Sequence, residues 1–120
     1  MLGKIRAEGR RLANTVIWSL DGWRAAWATE KTLRQWTVAN LLSAALAFFV
    51  DLTPGERGLI LALGVLILAA ELINTAMEEV VDHLSPGPDP RAKKAKDCGS
   101  ACVTLTALAA GVAWVVVLVG

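Results

Sequence analysis

The sequence predicts an all-α membrane protein, with an N-terminal amphipathic helix on the membrane surface followed by three transmembrane helices. Apolar residues make up 55% of the 120 residues and charged residues only 19%. The apolar residues fall into three long stretches, and an amphipathic pattern precedes the first of them. A domain of this size buries only about two thirds of its surface, so a soluble chain of this composition would expose large apolar patches. A soluble four-helix bundle is the less favoured alternative.

Charge and cysteine content exclude several other classes of protein. Twelve Lys and Arg against eleven Asp and Glu leave a net charge of +1. DNA and RNA binding require an excess of positive charge, so a nucleic-acid binder is excluded. With only two cysteines and one histidine, the sequence contains no zinc-binding motif. Cys98 and Cys102 are therefore interpreted as small packing residues.

Residues 1–29 are predicted to form the amphipathic helix that lies in the membrane interface. Its apolar side chains share an arc about 80° wide at 100° per residue, and Arg6, Arg10 and Arg24 lie outside that arc. The apolar members of the arc are Ile5, Leu12, Val16, Leu20, Trp23 and Trp27. Arg and Trp on different faces are typical of interfacial helices, and the tryptophans are interpreted as membrane anchors.

Three apolar stretches are predicted to cross the membrane as helices over residues 31–50, 56–84 and 92–119. A helix needs about 20 residues to cross the hydrocarbon. Only the third stretch contains an uncharged run of that length, from Cys98 to Gly120. The first two spans must therefore hold some polar residues within or at the edge of the membrane.

The loops between these spans predict the orientation of the chain. Turns rich in Pro and Gly are predicted at residues 51–57 and 85–90. Residues 1–35 and 82–97 carry most of the Lys and Arg, whereas the first turn carries only Arg57. Because positively charged segments remain in the cytoplasm, the N-terminus is predicted to be cytoplasmic and the C-terminus to lie outside.

The end of the second predicted span carries polar side chains on one helical face. Glu71, Asn74, Glu78 and Asp82 fall within an arc about 80° wide, whereas Glu79 lies about 100° from Glu78. A carboxylate in the hydrocarbon costs about 2.5–3.5 kcal/mol on insertion scales. The face formed by these four residues therefore requires a partner, which could be a cation, a metal or protons.

The other two spans place charged residues at the same level of the membrane. Glu30 and Arg34 lie one turn apart at the start of the first span, and residues 91–97 combine four bases with Asp97. Carboxylates from different helices with a nearby amide are oxygen ligands suited to Mg²⁺. Interhelical ion pairs, with lysines on lipid headgroups, explain the same residues equally well, and both interpretations stay open at this point.

Three motifs resemble the small bacterial diacylglycerol kinase family, which also includes undecaprenol kinases. These motifs are Gly22–Glu30, Glu71–Asp82 and Ala95–Ala101, and the second has the pattern Glu-x-x-Asn-x-x-x-Glu-x-Val-Val-Asp. The resemblance extends from about Arg11 to the end of the chain. It implies a homotrimer of three-span subunits in the bacterial cytoplasmic membrane, with active sites shared between neighbouring subunits. It also implies ATP and Mg²⁺ as cosubstrate and cofactor.

The resemblance further implies a role for individual residues. Glu71 would be the base that deprotonates the lipid hydroxyl, while Glu30 and Glu78 would hold Mg²⁺. The nucleotide and its phosphates would contact Arg11, Ser19, Asn74, Lys96 and Asp97. The expected reaction is phosphorylation of diacylglycerol to phosphatidic acid, with undecaprenol as the alternative acceptor. A small proton-coupled transporter and a non-catalytic assembly protein are the competing hypotheses.

Overall fold

The computed structural model describes residues 1–120 and contains four α-helices and no β-strand. The helices are α1 (Leu2–Thr29), α2 (Lys31–Phe49), α3 (Pro54–Leu84) and α4 (Pro90–Val119). The chain divides into two compact units, Met1–Glu30 and Lys31–Gly120. The first unit is therefore α1, and the second contains α2, α3 and α4. The prediction of an all-helical protein is confirmed.

Two helices are long and apolar enough to cross a membrane. These are α3 with 31 residues and α4 with 30 residues. Helix α2 has only 19 residues, and its first turns carry Lys31, Arg34 and Gln35, so its composition is more polar. Length and hydropathy thus identify two of the three predicted spans.

The start of α3 corrects the predicted turn at residues 51–57. Thr53 forms a capping box: its Oγ1 accepts from the backbone N–H of Glu56 at 3.2 Å, and its own N–H donates to Glu56 Oε1 at 2.9 Å. Pro54 occupies the first helical turn, where its missing N–H costs nothing. The prediction of a turn is therefore wrong from residue 54 onward, because Pro54 and Gly55 begin a helix instead of preceding one.

Helix α4 begins in a similar way. The Asp89 carboxylate accepts from the backbone N–H of Arg91 at 2.7 Å, and Pro90 follows directly. An acidic cap before a proline is a common start of a helix. Helix α4 consequently starts at residue 90, two residues before the expected position, and only residues 85–89 connect it to α3.

Within the second unit, α3 packs against both α2 and α4. A small apolar core lies near the α2–α3 connection and comprises Ala47, Leu52, Ile60 and Ala113. The indole N–H of Trp114 donates to Ser43 Oγ at 2.9 Å, which connects α4 to α2. Most large apolar side chains lie outside this core, and many on α2 and α4 are more than half exposed.

Arg57 closes the C-terminal end of α2. Its Nε donates to the Ala47 carbonyl oxygen at 2.9 Å, and its guanidinium also donates to the Leu52 carbonyl oxygen at 3.3 Å. The same guanidinium lies over the Phe48 ring, 5.3 Å from the ring centroid. The last carbonyl groups of a helix have no partner within the helix, so Arg57 supplies donors that the backbone lacks.

The first unit is one continuous helix with an apolar face. Trp23 and Trp27 stack on this face with ring centroids 5.8 Å apart. Ile5, Leu12 and Val16 are each more than half exposed. The predicted helix over residues 1–29 is confirmed as a helix over Leu2–Thr29, and Glu30 then adopts an extended backbone.

Candidate functional site

The polar face of α3 is buried at one end and exposed at the other. Glu71 is 3% exposed and Asn74 is 8% exposed, and these two are the buried polar residues of the protein. One turn later Glu78 is half-buried, and Asp82 near the end of the helix is exposed. The face therefore runs from a buried carboxylate and amide to an exposed carboxylate.

Asn74 connects the buried part of this face to the half-buried part. Its Nδ2 donates to Glu78 Oε1 at 3.3 Å. Its Oδ1 is completely buried and has no hydrogen-bond partner. The side chain is pressed against α4, because an ideal Cβ placed on Gly99 would lie only 2.3 Å from Asn74 Oδ1.

Two of the four bases at the start of α4 form ion pairs. Lys96 pairs with Asp82 of α3, and Lys93 pairs with Asp97 one turn further along its own helix. The Lys96–Asp82 pair joins α3 to α4, whereas the second pair lies within α4. Of the two sequence interpretations, interhelical ion pairing is thus realised by Lys96 and Asp82.

An open cleft lies where α3, the 85–89 connection and α4 meet. It has a volume of about 390 Å³, and its lining includes Asp82, Ser85, Lys96 and Asp97. Lysines that are half exposed beside such a cleft can reach an anionic group without losing their hydration entirely. Lys96 and Asp97, which the family resemblance assigns to the nucleotide and its phosphates, both line this cleft.

The remaining candidate residues lie in the first unit. The Arg11 guanidinium is 3.6 Å from Glu8 Oε2, and the Ser19 hydroxyl donates to the Thr15 carbonyl oxygen at 2.8 Å. Glu30 directly follows α1, is half-buried, and its Oε1 accepts from the Thr29 hydroxyl at 3.4 Å. These residues and those of α3 and α4 belong to separate units of the chain.

The donors on α3 are of the type that Mg²⁺ prefers. The structure contains no group of three or more Asp, Glu, His or Cys side chains placed to hold a metal ion. Mg²⁺ is commonly bound by one or two carboxylates, with water and substrate phosphates as its other ligands. A half-buried Glu78 whose carboxylate is fixed by an amide fits that kind of site.

Sequence reasoning did not identify Gly99 or Arg57 as structurally important. Gly99 contacts Asn74 of another helix, and Arg57 contacts the backbone of the preceding helix. Neither contact has a local sequence signature, because each depends on how two helices are rotated against each other. The sequence offers one signal for Gly99, which is a small residue two positions after Asp97. A small residue does not by itself indicate contact with another helix.

Comparison with known proteins identifies close relatives. The chain matches the family model described as prokaryotic diacylglycerol kinase over residues 17–118. It is 37% identical to the diacylglycerol kinase of Pseudomonas aeruginosa over 111 residues, 92% of this chain and 90% of that protein. It is 33% identical to the diacylglycerol kinase of Escherichia coli K12 over 108 residues, 90% and 88% of the two chains. For the diacylglycerol kinase of Helicobacter pylori J99 the identity is 36% over 96 residues, 79% and 75%.

Proposed function

This chain belongs to the prokaryotic diacylglycerol kinase family, and we propose that it is a lipid kinase that transfers the γ-phosphoryl group of ATP to diacylglycerol. The product would be phosphatidic acid. The observation that carries the proposal is the family match over residues 17–118, which includes all the candidate site residues except Arg11. The buried carboxylate and amide on α3 supply the chemistry that such a transfer requires.

Glu71 is proposed as the general base. It is a buried carboxylate on a helix apolar enough to span a membrane, the environment in which the lipid substrate is dissolved. Glu71 would accept the hydroxyl proton while the lipid oxygen forms a bond to the γ-phosphorus. The bond from that phosphorus to the bridging oxygen breaks, and ADP leaves with the electron pair. A positioned base of this kind contributes about 10²–10⁴-fold to the rate.

Glu30 and Glu78 are proposed to hold Mg²⁺. Held by these carboxylates, the ion would supply positive charge that offsets the negative charge of the phosphates during transfer. The half-buried carboxylate of Glu78 and its hydrogen bond from Asn74 support this assignment. Glu30 lies in the other unit of the chain, and the resemblance to the family is what assigns it to the same site.

The nucleotide is proposed to contact Arg11, Ser19, Asn74, Lys96 and Asp97. Lys96 now pairs with Asp82 beside the open cleft. A phosphate oxygen would compete with Asp82 for this ammonium group, because both are anionic acceptors of charge-assisted hydrogen bonds. Lys96 would therefore exchange one partner for the other when ATP binds.

The proposed assembly is a homotrimer of three-span subunits with α1 in the membrane interface. Helices α2, α3 and α4 would cross the bacterial cytoplasmic membrane, with the N-terminus inside and the C-terminus outside. Large apolar side chains exposed on α2 and α4, among them Leu41, Phe48 and Leu105, support burial in lipid or against other subunits. Active sites shared between subunits would let Glu30 of one chain act with Glu78 of its neighbour.

Diacylglycerol is favoured over undecaprenol as the acceptor, because the relatives described above carry the name diacylglycerol kinase. The same relationship favours a kinase over a proton-coupled transporter. Both lipids offer a primary hydroxyl near the interface, and apolar pockets discriminate weakly against extra methylene groups. The ratio of kcat/KM for the two lipids therefore tests this assignment.

The test is a phosphorylation assay with the purified protein in detergent, ATP and Mg²⁺. Short-chain diacylglycerol and a short polyprenol are offered separately, and the products are identified by mass spectrometry. We expect phosphatidic acid, with a larger kcat/KM for diacylglycerol. A larger kcat/KM for the polyprenol would show that the polyprenol, and not diacylglycerol, is the preferred acceptor. Absence of phosphorylation with both lipids would contradict the proposed function.

A further inference from the structure

Gly99 faces the Asn74 side chain across the α3–α4 interface. A Cβ at residue 99 would lie 2.3 Å from Asn74 Oδ1 and 3.3 Å from its Cγ, but 3.7 Å from its Cα. The first distance is impossible for a real Cβ, whereas the distance to the backbone is an ordinary van der Waals contact. Alanine at residue 99 would therefore displace the Asn74 amide and leave the α3 backbone in place.

Displacing this amide has a consequence for Glu78. The Nδ2 of Asn74 donates to Glu78 Oε1 at 3.3 Å, which is already beyond the usual length of such a bond. Rotation of the Asn74 side chain into another rotamer moves Nδ2 away from that oxygen. The hydrogen bond is then lost, and the Glu78 carboxylate no longer has the amide that fixes its orientation.

We infer that Gly99 is a positioning residue. Because glycine has no side chain, it leaves space for the Asn74 amide against α4, and that amide orients the Glu78 carboxylate. This inference rests on the proposed function, in which Glu78 holds Mg²⁺. Gly99 itself touches neither substrate nor metal in this scheme. Residues that orient a metal ligand typically affect metal affinity by about 10–100-fold when they are changed.

The protein contains a matched control for the steric effect. A Cβ at Gly64 would lie 2.9 Å from Oδ1 of Asn40 on α2, so alanine at residue 64 meets an asparagine amide in the same way. Asn40 Nδ2 is buried and has no hydrogen-bond partner. Gly64→Ala therefore tests helix packing against an amide without involving a carboxylate of the site.

The geometry is tested directly by NMR of the detergent-solubilised protein labelled with [¹⁵N]asparagine. The chain has three asparagines, Asn14, Asn40 and Asn74, so three side-chain NH₂ pairs are expected, and single substitutions assign them. We expect Gly99→Ala to shift the Asn74 pair and leave the Asn40 pair unchanged, with the reverse for Gly64→Ala. An unshifted Asn74 pair in Gly99→Ala would overturn the inference.

The consequence is tested by metal binding and kinetics. Mn²⁺ is used as a paramagnetic probe, and its dissociation constant is measured by electron paramagnetic resonance with a non-hydrolysable ATP analogue present. For Gly99→Ala we expect binding at least about tenfold weaker and a matching rise in the Mg²⁺ concentration for half-maximal activity. Gly64→Ala should change both quantities less than twofold. Equal effects of the two substitutions would show that general packing is responsible.

A double-mutant cycle separates the pathway through Asn74 from any other effect of Gly99. In an Asn74→Ala background the amide is absent, so Gly99→Ala should produce no further loss of Mn²⁺ affinity. A loss of the same size in both backgrounds would contradict the inference. If Gly99→Ala alone folds poorly, recovery of folding in the Asn74→Ala background supports the steric conflict with Asn74, and no recovery contradicts it.

Failure of the inference can be distinguished from failure of the proposed function. If the wild-type protein phosphorylates no lipid, the proposed function fails, while the NMR and Mn²⁺ measurements still decide whether Gly99 orients Asn74 and Glu78. If the wild-type protein is active and Gly99→Ala matches it in metal affinity, only the inference fails.

Discussion

Glu71 is the one charged side chain of the protein that is buried, at 3% exposed. Placing a carboxylate in the hydrocarbon costs about 2.5–3.5 kcal/mol on insertion scales. Its neighbour on the same face, Asn74, is the other buried polar residue. Both lie on α3, the helix that packs against the other two helices of the second unit. The proposed role of this carboxylate is to accept the proton of a lipid hydroxyl.

Glu71→Gln is expected to reduce kcat by about 10²–10⁴-fold, because glutamine keeps the shape of the side chain but cannot accept the proton. The measurement is lipid phosphorylation at saturating ATP and Mg²⁺. Thermal unfolding in detergent should show that the variant is folded, so that the loss of kcat can be assigned to the missing proton acceptor.

Glu79→Gln is the control for this substitution. Glu79 is exposed and lies away from the polar face of α3, so its replacement should leave kcat within about twofold of the wild-type value. Near-normal turnover of Glu71→Gln would show that Glu71 is not the general base. Equal losses for both substitutions would point to a general requirement for negative charge.

The connection between α2 and α3 depends on one arginine. Arg57→Met keeps an apolar stem of similar length but removes the donors to the carbonyl oxygens of Ala47 and Leu52. Hydrogen bonds to charged groups contribute about 1.5–3 kcal/mol, so a decrease of that size is expected in the free energy of unfolding. Reversible unfolding in mixed micelles, followed by circular dichroism, measures it.

Arg24→Met provides the comparison at the level of the helices. Arg24 is exposed on α1, and its replacement should change the free energy of unfolding by no more than about 0.5 kcal/mol. If Arg57→Met is as stable as Arg24→Met, the α2 terminus does not depend on Arg57. A loss confined to Arg57→Met supports the interpretation that this side chain closes the helix.

The proposed sharing of active sites concerns the whole assembly. Glu30→Ala and Glu78→Ala should each be inactive, because each removes a proposed Mg²⁺ ligand. When equal amounts are unfolded together and reassembled, random assortment into trimers should restore about a quarter of wild-type activity if the two residues come from different subunits. Recovery is measured against wild-type protein treated identically. No recovery would place both residues in one chain.

Orientation in the membrane is a second property of the whole molecule. In a background with Cys98 and Cys102 replaced by alanine, Ser85→Cys and Asp51→Cys are labelled in intact cells with a membrane-impermeant maleimide. Asp51 is chosen because Thr53 caps α3. Only Asp51→Cys should react before the cells are opened, since three spans place the two loops on opposite sides. Labelling of both variants in intact cells would contradict the three-span arrangement.

The sequence alone determined the helices and the polar face of α3, because both depend on local spacing. The i to i+4 separation of Asn74 and Glu78 predicts a shared face, and the hydrogen bond between these side chains confirms it. Helix starts were less well determined. Pro54 and Pro90 lie within the first turn of a helix, whereas the sequence alone placed them in turns.

Tertiary structure decided which partners these faces meet. The contact of Gly99 with Asn74 and the ion pair between Lys96 and Asp82 both depend on the rotation of α4 about its own axis against α3. Arg57 reaches Ala47 because the α2–α3 connection is short and brings the two residues together. The rotation of each helix about its axis and the distance between two helices depend on all the side chains packed in their interface. The pattern of residues along one helix does not determine how that whole interface packs.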